Sequence, residues 1–346
     1  MRSAFLTAEG RFRSLIELCS VDSTTGFEDR LLPVLHAQLA QLGLRVELME
    51  VAPGRHNVLA WRGEPRLLFS THCDTVPPFI PPRLDGDTLH GRGTCDAKGQ
   101  MVAQFAAIAA LAERGMTDVA WLGVVGEETD SLGAKHAEAT LCGRFPKLLA
   151  VFNGEPTHNV LGTGQRGVRI LQLSCDGQAA HSGTPELGRS AIWPLLDWVQ
   201  ALRNEARPSD ADLGPEVWNL GLIEGGAAAN IIPDRAAAVL MLRELPESDF
   251  VQRVDANKPA CGHVRELNHT PPARFPAVPG FPRASVTFGS DAPRMRALVP
   301  SGTVVLAGPG AIEVAHTAHE HLTRADLDAG VELLLRLSDH FLEQHA

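Results

Sequence analysis

Tyrosine is absent from the 346 residues, which excludes any mechanism that needs a phenol. The six cysteines (Cys19, Cys73, Cys95, Cys142, Cys175 and Cys261) contain no CxxC pair, so neither a thiolate zinc site nor a dense disulfide framework is expected. Reduced thiols in a cytoplasm are the simpler expectation. No run approaches the ~20 apolar residues that span a membrane. Arg2, Glu9, Arg11 and Arg13 stand where a signal peptide would place its apolar core. Positive charge is in deficit as well: Lys and Arg total 31 against 41 for Asp and Glu, a net charge of -10, which disfavours nucleic acid and anionic membrane surfaces as partners.

What remains is an ordinary globular composition, 44% hydrophobic and 21% charged, in a chain long enough for two domains. Three- and four-residue apolar spacing predicts helices over 11–21 and 27–42, and strands follow at 45–51, 56–61 and 66–70. The Pro- and Gly-rich stretch 77–93 reads as an irregular loop. An Ala-rich helix over 101–114 precedes the uncharged strand 119–125, a short helix over 132–139 and a second buried strand over 147–152. Strands alternating with helices argue a mostly parallel sheet with helices on both faces.

The pattern changes after Gly164. Strands at 168–175, 217–223, 235–242 and from 263, with helices over 190–206 (Trp193, Leu196 and Val199 on one face) and 247–254, give a βαββαβ order, the small ferredoxin-like unit. Five prolines between Pro271 and Pro282 mark a linker, after which the strand 303–307 and the helix 324–342 restore the α/β pattern. The reading is therefore a catalytic domain of residues 1–165 and 277–346, interrupted by an inserted lid or dimerisation domain of residues 166–276.

The chemistry sits where predicted strands end. His72 and Asp74 follow one, Glu127 and Glu128 a second, and Glu155 a third, while Asp96 lies in the loop 91–99 and His316 far downstream. Alone, a His-x-Asp pair at a strand end reads as an ordinary hydrogen-bonded pair and two adjacent glutamates as solvated charge. Together they do not, because a buried strand ending in two adjacent carboxylates is costly without cations or water to receive them. Two divalent ions sharing a bridging carboxylate need several oxygen and nitrogen ligands, and His72, Asp96, Glu128, Glu155 and His316 supply such a set. Zinc fits these donors, with cobalt or manganese as alternatives. Glu127 points away from its neighbour if the segment is extended, which frees it to act on a metal-activated water and to pass the proton to a leaving amine. Asp74 suits the carboxylate that orients the His72 imidazole.

Five separated segments, Ser70–Pro77, Gly91–Gly99, Gly126–Glu128, Gly154–Thr157 and Ala315–Glu320, resemble in order and spacing the motifs of the M20 metallopeptidases. The resemblance implies that His72, Asp96 and Glu155 hold one metal and Asp96, Glu128 and His316 the other. It also implies Asp96 as the bridge, Glu127 as general acid and base, and a cis peptide bond between Asp96 and Ala97. The segment Ala180–Gly183 resembles the family's lid histidine motif, so that His181 would donate to the developing oxyanion. Asn230 and Arg243 resemble its contacts to the substrate amide and carboxylate. His319 stands where the family commonly has Asp or Asn.

Gly308-Pro309-Gly310 leading to His316 most resembles the acetylornithine deacetylase and succinyl-diaminopimelate desuccinylase branch. The expected activity is a di-zinc amidohydrolase that removes an acyl group, acetyl above others, from the nitrogen of an amino acid such as N-acetylornithine or N-acetyllysine. A desuccinylase, a dipeptidase or a carboxypeptidase shares the same motifs, and a metal-free amino-acid or peptide binder is the remote alternative. A homodimer through the inserted domain, and a site completed by that domain, are further expectations of the resemblance.

Overall fold

Six strands make the sheet that organises the first part of the chain, in the order Arg45–Ala52, Arg55–Arg62, Val119–Val124, Leu67–His72, Ala150–Asn153 and Val304–Leu306. The last four run parallel, and the hairpin Arg45–Arg62 is added antiparallel at one edge. The result is an α/β fold on a mixed, mostly parallel sheet. Leu67–His72 and Val119–Val124 are buried along their whole length, as uncharged central strands covered on both faces must be.

The computed structural model describes residues 3–344. The sheet belongs to a unit made of residues up to Thr163 and those from Phe275 onward, and Gly164–Arg274 forms a second unit. Within the first, the helix Lys98–Glu113 packs on the strand Leu67–His72 and is covered by the helices Ala8–Cys19 and Arg324–Glu343. Its alanines let the layers approach closely, which is why nearly every side chain from Lys98 to Leu111 is buried. The stretch 77–93 is more regular than its prolines suggest. After Pro82 it forms a hairpin of Arg83–Asp85 and Thr88–His90 about a two-residue turn at Gly86, whose φ of 58° suits glycine.

The second unit has four antiparallel strands in the order Val217–Gly225, Arg235–Glu244, Gly167–Asp176 and Gly262–Thr270, with the helices Ile192–Asn204 and Phe250–Ala256. In chain order the strands lie 2-3-1-4, the ferredoxin-like arrangement. The expected buried face of its first helix is corrected. Leu195, Trp198, Val199 and Leu202 face the core, at the three- and four-residue spacing of an amphipathic stripe, whereas Trp193 is 69% exposed and Leu196 37%. Among the described residues no helix is long and apolar enough to cross a membrane, and all six cysteines are free thiols.

Candidate metal centre

Three parallel strands deliver the site at their C-terminal ends, where open α/β sheets place their crevices. His72 is the last residue of its strand and lies opposite Val124 of the next. Two residues on, Gly126 takes φ 76°, which turns the chain out of the sheet, and its carbonyl accepts the amides of Asp130 and Ser131. Glu127 and Glu128 occupy that turn. Glu155 follows Ala150–Asn153 by two residues, and Gly154 donates its amide to the Ser70 carbonyl, tying this end to the His72 strand.

Asp96 lies at the centre. One of its oxygens is 2.9 Å from His72 Nε2, and the other is 3.2 Å from His316 Nε2. His316 also sits 2.9 Å from a Glu128 oxygen. Its backbone adopts φ 63°, unusual for a residue with a side chain, at the turn that aims the ring. Ligand atoms of His72, Asp96 and Glu128 all lie within 4.8 Å of one another. The Asp96–Ala97 peptide is cis.

Asp74 does more than face the imidazole. His72 Nδ1 is 3.0 Å from the Asp74 backbone carbonyl and 3.5 Å from its carboxylate. That carboxylate accepts the amides of Glu127 (3.1 Å) and Glu128 (3.2 Å) and the Thr25 hydroxyl (2.8 Å). One buried group thus fixes both the histidine strand end and the diglutamate turn.

The electrostatics call for cations. Desolvation pushes Glu127 and Glu155 well above the usual carboxylate range, and their mutual proximity and that of Asp96, Asp291 and Glu128 add to the push. Glu128 is raised by desolvation too, although its bond to His316 opposes this. Burial alone would lower the His72 imidazolium, but bonds to Asp74 and Asp96 carry it well above its ordinary value. His316 is lifted to about 10 by its bonds to Asp96 and Glu128. Protons are held here at positions that metal ligands must vacate. Glu155 Oε1 is buried with no hydrogen-bond partner among the described residues. The oxygen and nitrogen donors of Asp96, Glu128, Glu155, His72 and His316 therefore suit a pair of divalent ions.

In the second unit the structure pairs two of the expected residues. The Ser182 amide donates to the Asn230 carbonyl (3.0 Å), and His181 bridges Ile231, so the His181 and Asn230 loops run together. His181 Nδ1 accepts the Gly183 amide at 3.0 Å, which leaves Nε2 to donate. Arg243 lies on the strand Arg235–Glu244, half-buried, with no acidic partner among the described residues. Desolvation and the neighbouring charge of Arg166 lower its pKa.

Two residues near the centre escaped the sequence reading. Asp291 is 1% exposed and acts on Glu127 and Glu155 by its charge, yet Gly-Ser-Asp-Ala before a short helix reads as an ordinary cap. Glu320 accepts three backbone amides of the Asp96 loop. It closes the segment Ala315–Glu320 that carries the family resemblance, but no role followed from that place.

Fold and site together define a metal-dependent α/β hydrolase. Residues 68–340 match the model of peptidase family M20/M25/M40, and the chain belongs to that family. A peptidase M20 domain-containing protein of Schizosaccharomyces pombe is 34% identical over 331 residues, covering 92% of this chain and 81% of its own. A probable carboxypeptidase of Aspergillus clavatus is 33% identical over 355 residues, covering 91% and 85%. The fold also matches a Bacillus subtilis structure described as a dinuclear metal-binding peptidase of the M20 family, with TM-score 0.69 and 14% identity over 97% of this chain and 98% of that one. The chain is thus a hydrolase of the M20 family that acts on amide or peptide bonds.

Proposed function

We propose that this hydrolase releases a carboxyl-terminal amino acid by cleaving the amide bond on its nitrogen, as a metallo-carboxypeptidase or dipeptidase. The observation that carries the reading is Asp96, which turns one oxygen to each of two histidines beside a raised-pKa glutamate. Bound there, two divalent ions, zinc by preference and cobalt or manganese as alternatives, would polarise the scissile carbonyl and bring a water's pKa down to about 7. His72, Asp96 and Glu155 would hold one and Asp96, Glu128 and His316 the other.

Glu127 takes a proton from the attacking water as its oxygen adds to the carbonyl carbon, and returns it to the amide nitrogen as the C–N bond breaks. Burial that raises its proton affinity suits a group that must both accept and donate. Asp74 holds the Glu127 amide and so the direction of that side chain. In the inserted unit, His181 is assigned to the carbonyl oxygen, Asn230 to the amide region and Arg243 to the substrate carboxylate. A half-buried guanidinium without an acidic partner supports the last assignment. The open edge strand Val217–Gly225, with Leu222 68% and Ile223 51% exposed, supports a homodimer through this unit, which sedimentation analysis tests.

A second reading keeps this chemistry with a small acyl group in place of the peptide, as in N-acetylornithine or N-acetyllysine deacetylation. The Gly308-Pro309-Gly310 approach to His316 favours it. Assay of the metal-supplemented protein against dipeptides, amino-blocked dipeptides and N-acetyl and N-succinyl amino acids separates the two. Turnover confined to acyl amino acids would overturn the peptidase reading, and turnover of none would overturn both.

A further inference from the structure

Glu320 is buried to 1% exposure, four residues beyond His316, yet its carboxylate belongs to a distant loop. Oε1 accepts the amides of Gly93 (2.9 Å), Cys95 (3.1 Å) and Asp96 (3.1 Å). Oε2 meets Arg92 Nη1 at 2.5 Å, and the same nitrogen donates to the Thr317 carbonyl at 3.3 Å. The Glu320 carbonyl in turn accepts the Gly91 amide at 3.0 Å.

Amides from three of four successive residues that converge on one point form a concavity of the kind that ordinarily captures an external anion. Here the anion is internal. Arg92 neutralises it, and six hydrogen bonds bind residues 91–96 to the segment 317–320. A second tie runs nearby, where Gln100 Nε2 donates to the Pro309 carbonyl at 2.7 Å and to the Cys95 carbonyl at 3.0 Å.

We propose that Glu320 is the positioning residue of the metal centre. It shapes the loop that aims Asp96 and locks that loop to the turn that carries His316, so that both ligands stand in place before a cation arrives. Glu320 touches neither substrate nor ion. Its effect passes through Asp96, whose own amide it holds, and groups that support ligands in this way are typically worth about 10- to 100-fold in metal affinity. The inference rests on the reading of Asp96 and His316 as ligands.

The test is competitive titration of metal-stripped wild type and Glu320→Gln with Zn2+ against a chromophoric chelator. The glutamine keeps the size of the side chain but loses the charge that holds three amides and Arg92. Wild type should bind two equivalents, and the variant should bind them at least about tenfold more weakly with unchanged far-UV dichroism. Two equivalents at wild-type affinity in the variant would overturn the positioning role alone. A wild type that binds no Zn2+ would overturn the metal reading and this role with it.

A second measurement does not depend on the variant folding. In metal-stripped wild type, hydrogen exchange across residues 91–97 should be as slow as in the metal-loaded protein. Exchange at the rate of an open loop would overturn the proposal.

Discussion

Replacing Asp291 by Asn should stabilise the metal-free protein, and by more as pH rises. Asp291 is 1% exposed, and neither carboxylate oxygen finds a hydrogen bond of good geometry among the described residues. Desolvation lifts its pKa from 3.8 to about 6, with the Asp74 charge in support and the Ser131 side chain, His72 and Arg294 opposing. Because the folded-state value exceeds the unfolded one, the unfolded chain releases this proton first as pH rises, and stability is lost between the two values. Below about pH 4 the residue costs nothing. The shift of roughly 2 units corresponds to about 1.5 kcal/mol near pH 5 and about 3 kcal/mol above pH 7. Asn carries no charge at any pH and escapes this penalty. Urea unfolding of metal-stripped wild type and Asp291→Asn at about pH 5 and about pH 8 reads the difference directly. A variant equal to or less stable than wild type at the higher pH would refute the reasoning. Added divalent ions should shrink the advantage, since a nearby cation favours the ionised carboxylate.

Glu127→Gln should retain its metal content and secondary structure while kcat falls by about 10²- to 10⁴-fold, and near-normal turnover would remove Glu127 from its assigned role. Dialysis against a chelator should abolish hydrolysis, and restored Zn2+ or Mn2+ should recover it, with recovery by neither counting against a two-metal reaction. Gly133→Ala should lower stability by about 1 to 3 kcal/mol or more, because a Cβ there would stand 2.4 Å from the Val125 amide nitrogen and 2.6 Å from its carbonyl, buried backbone atoms directly after the strand Val119–Val124. An unfolding midpoint within the error of wild type would show that this end of the sheet is softer than its burial implies.

Much of the catalytic half was legible because its signals are local. An uncharged strand followed by Gly126-Glu127-Glu128, and another that ends in His72, announce both burial and an abrupt demand for polar partners within a few residues. The alternation of strands and helices carried the α/β class for the same reason. Glu320 shows where such reading stops. Its partners lie 224, 225 and 227 residues away, and nothing in either segment states that one carboxylate serves three amides. Asp291 was hidden differently, since an aspartate before a short helix has a sufficient local explanation and only the packed structure shows its carboxylate buried close to other acidic groups. Trp193 misled because a large aromatic at a helix start suggests a core. The 195, 198, 199 and 202 spacing was the better evidence, and the tertiary packing follows it.

The route of the chain between the two units carries a further consequence. Phe275 donates its amide to the Thr163 carbonyl at 3.0 Å, so the points where the polypeptide leaves the metal-binding unit and rejoins it are one hydrogen bond apart. Topologically, all 111 residues of Gly164–Arg274 are a single long loop on a domain whose six-stranded sheet takes no strand from them, and loop length adds only slowly to the entropy of closure. The strand-end cluster and the residues assigned to the substrate are thereby written on separable lengths of chain. If the insert selects the substrate as proposed, exchange of the segment between Thr163 and Phe275 should change the substrate while the residues at the strand ends stay as they are.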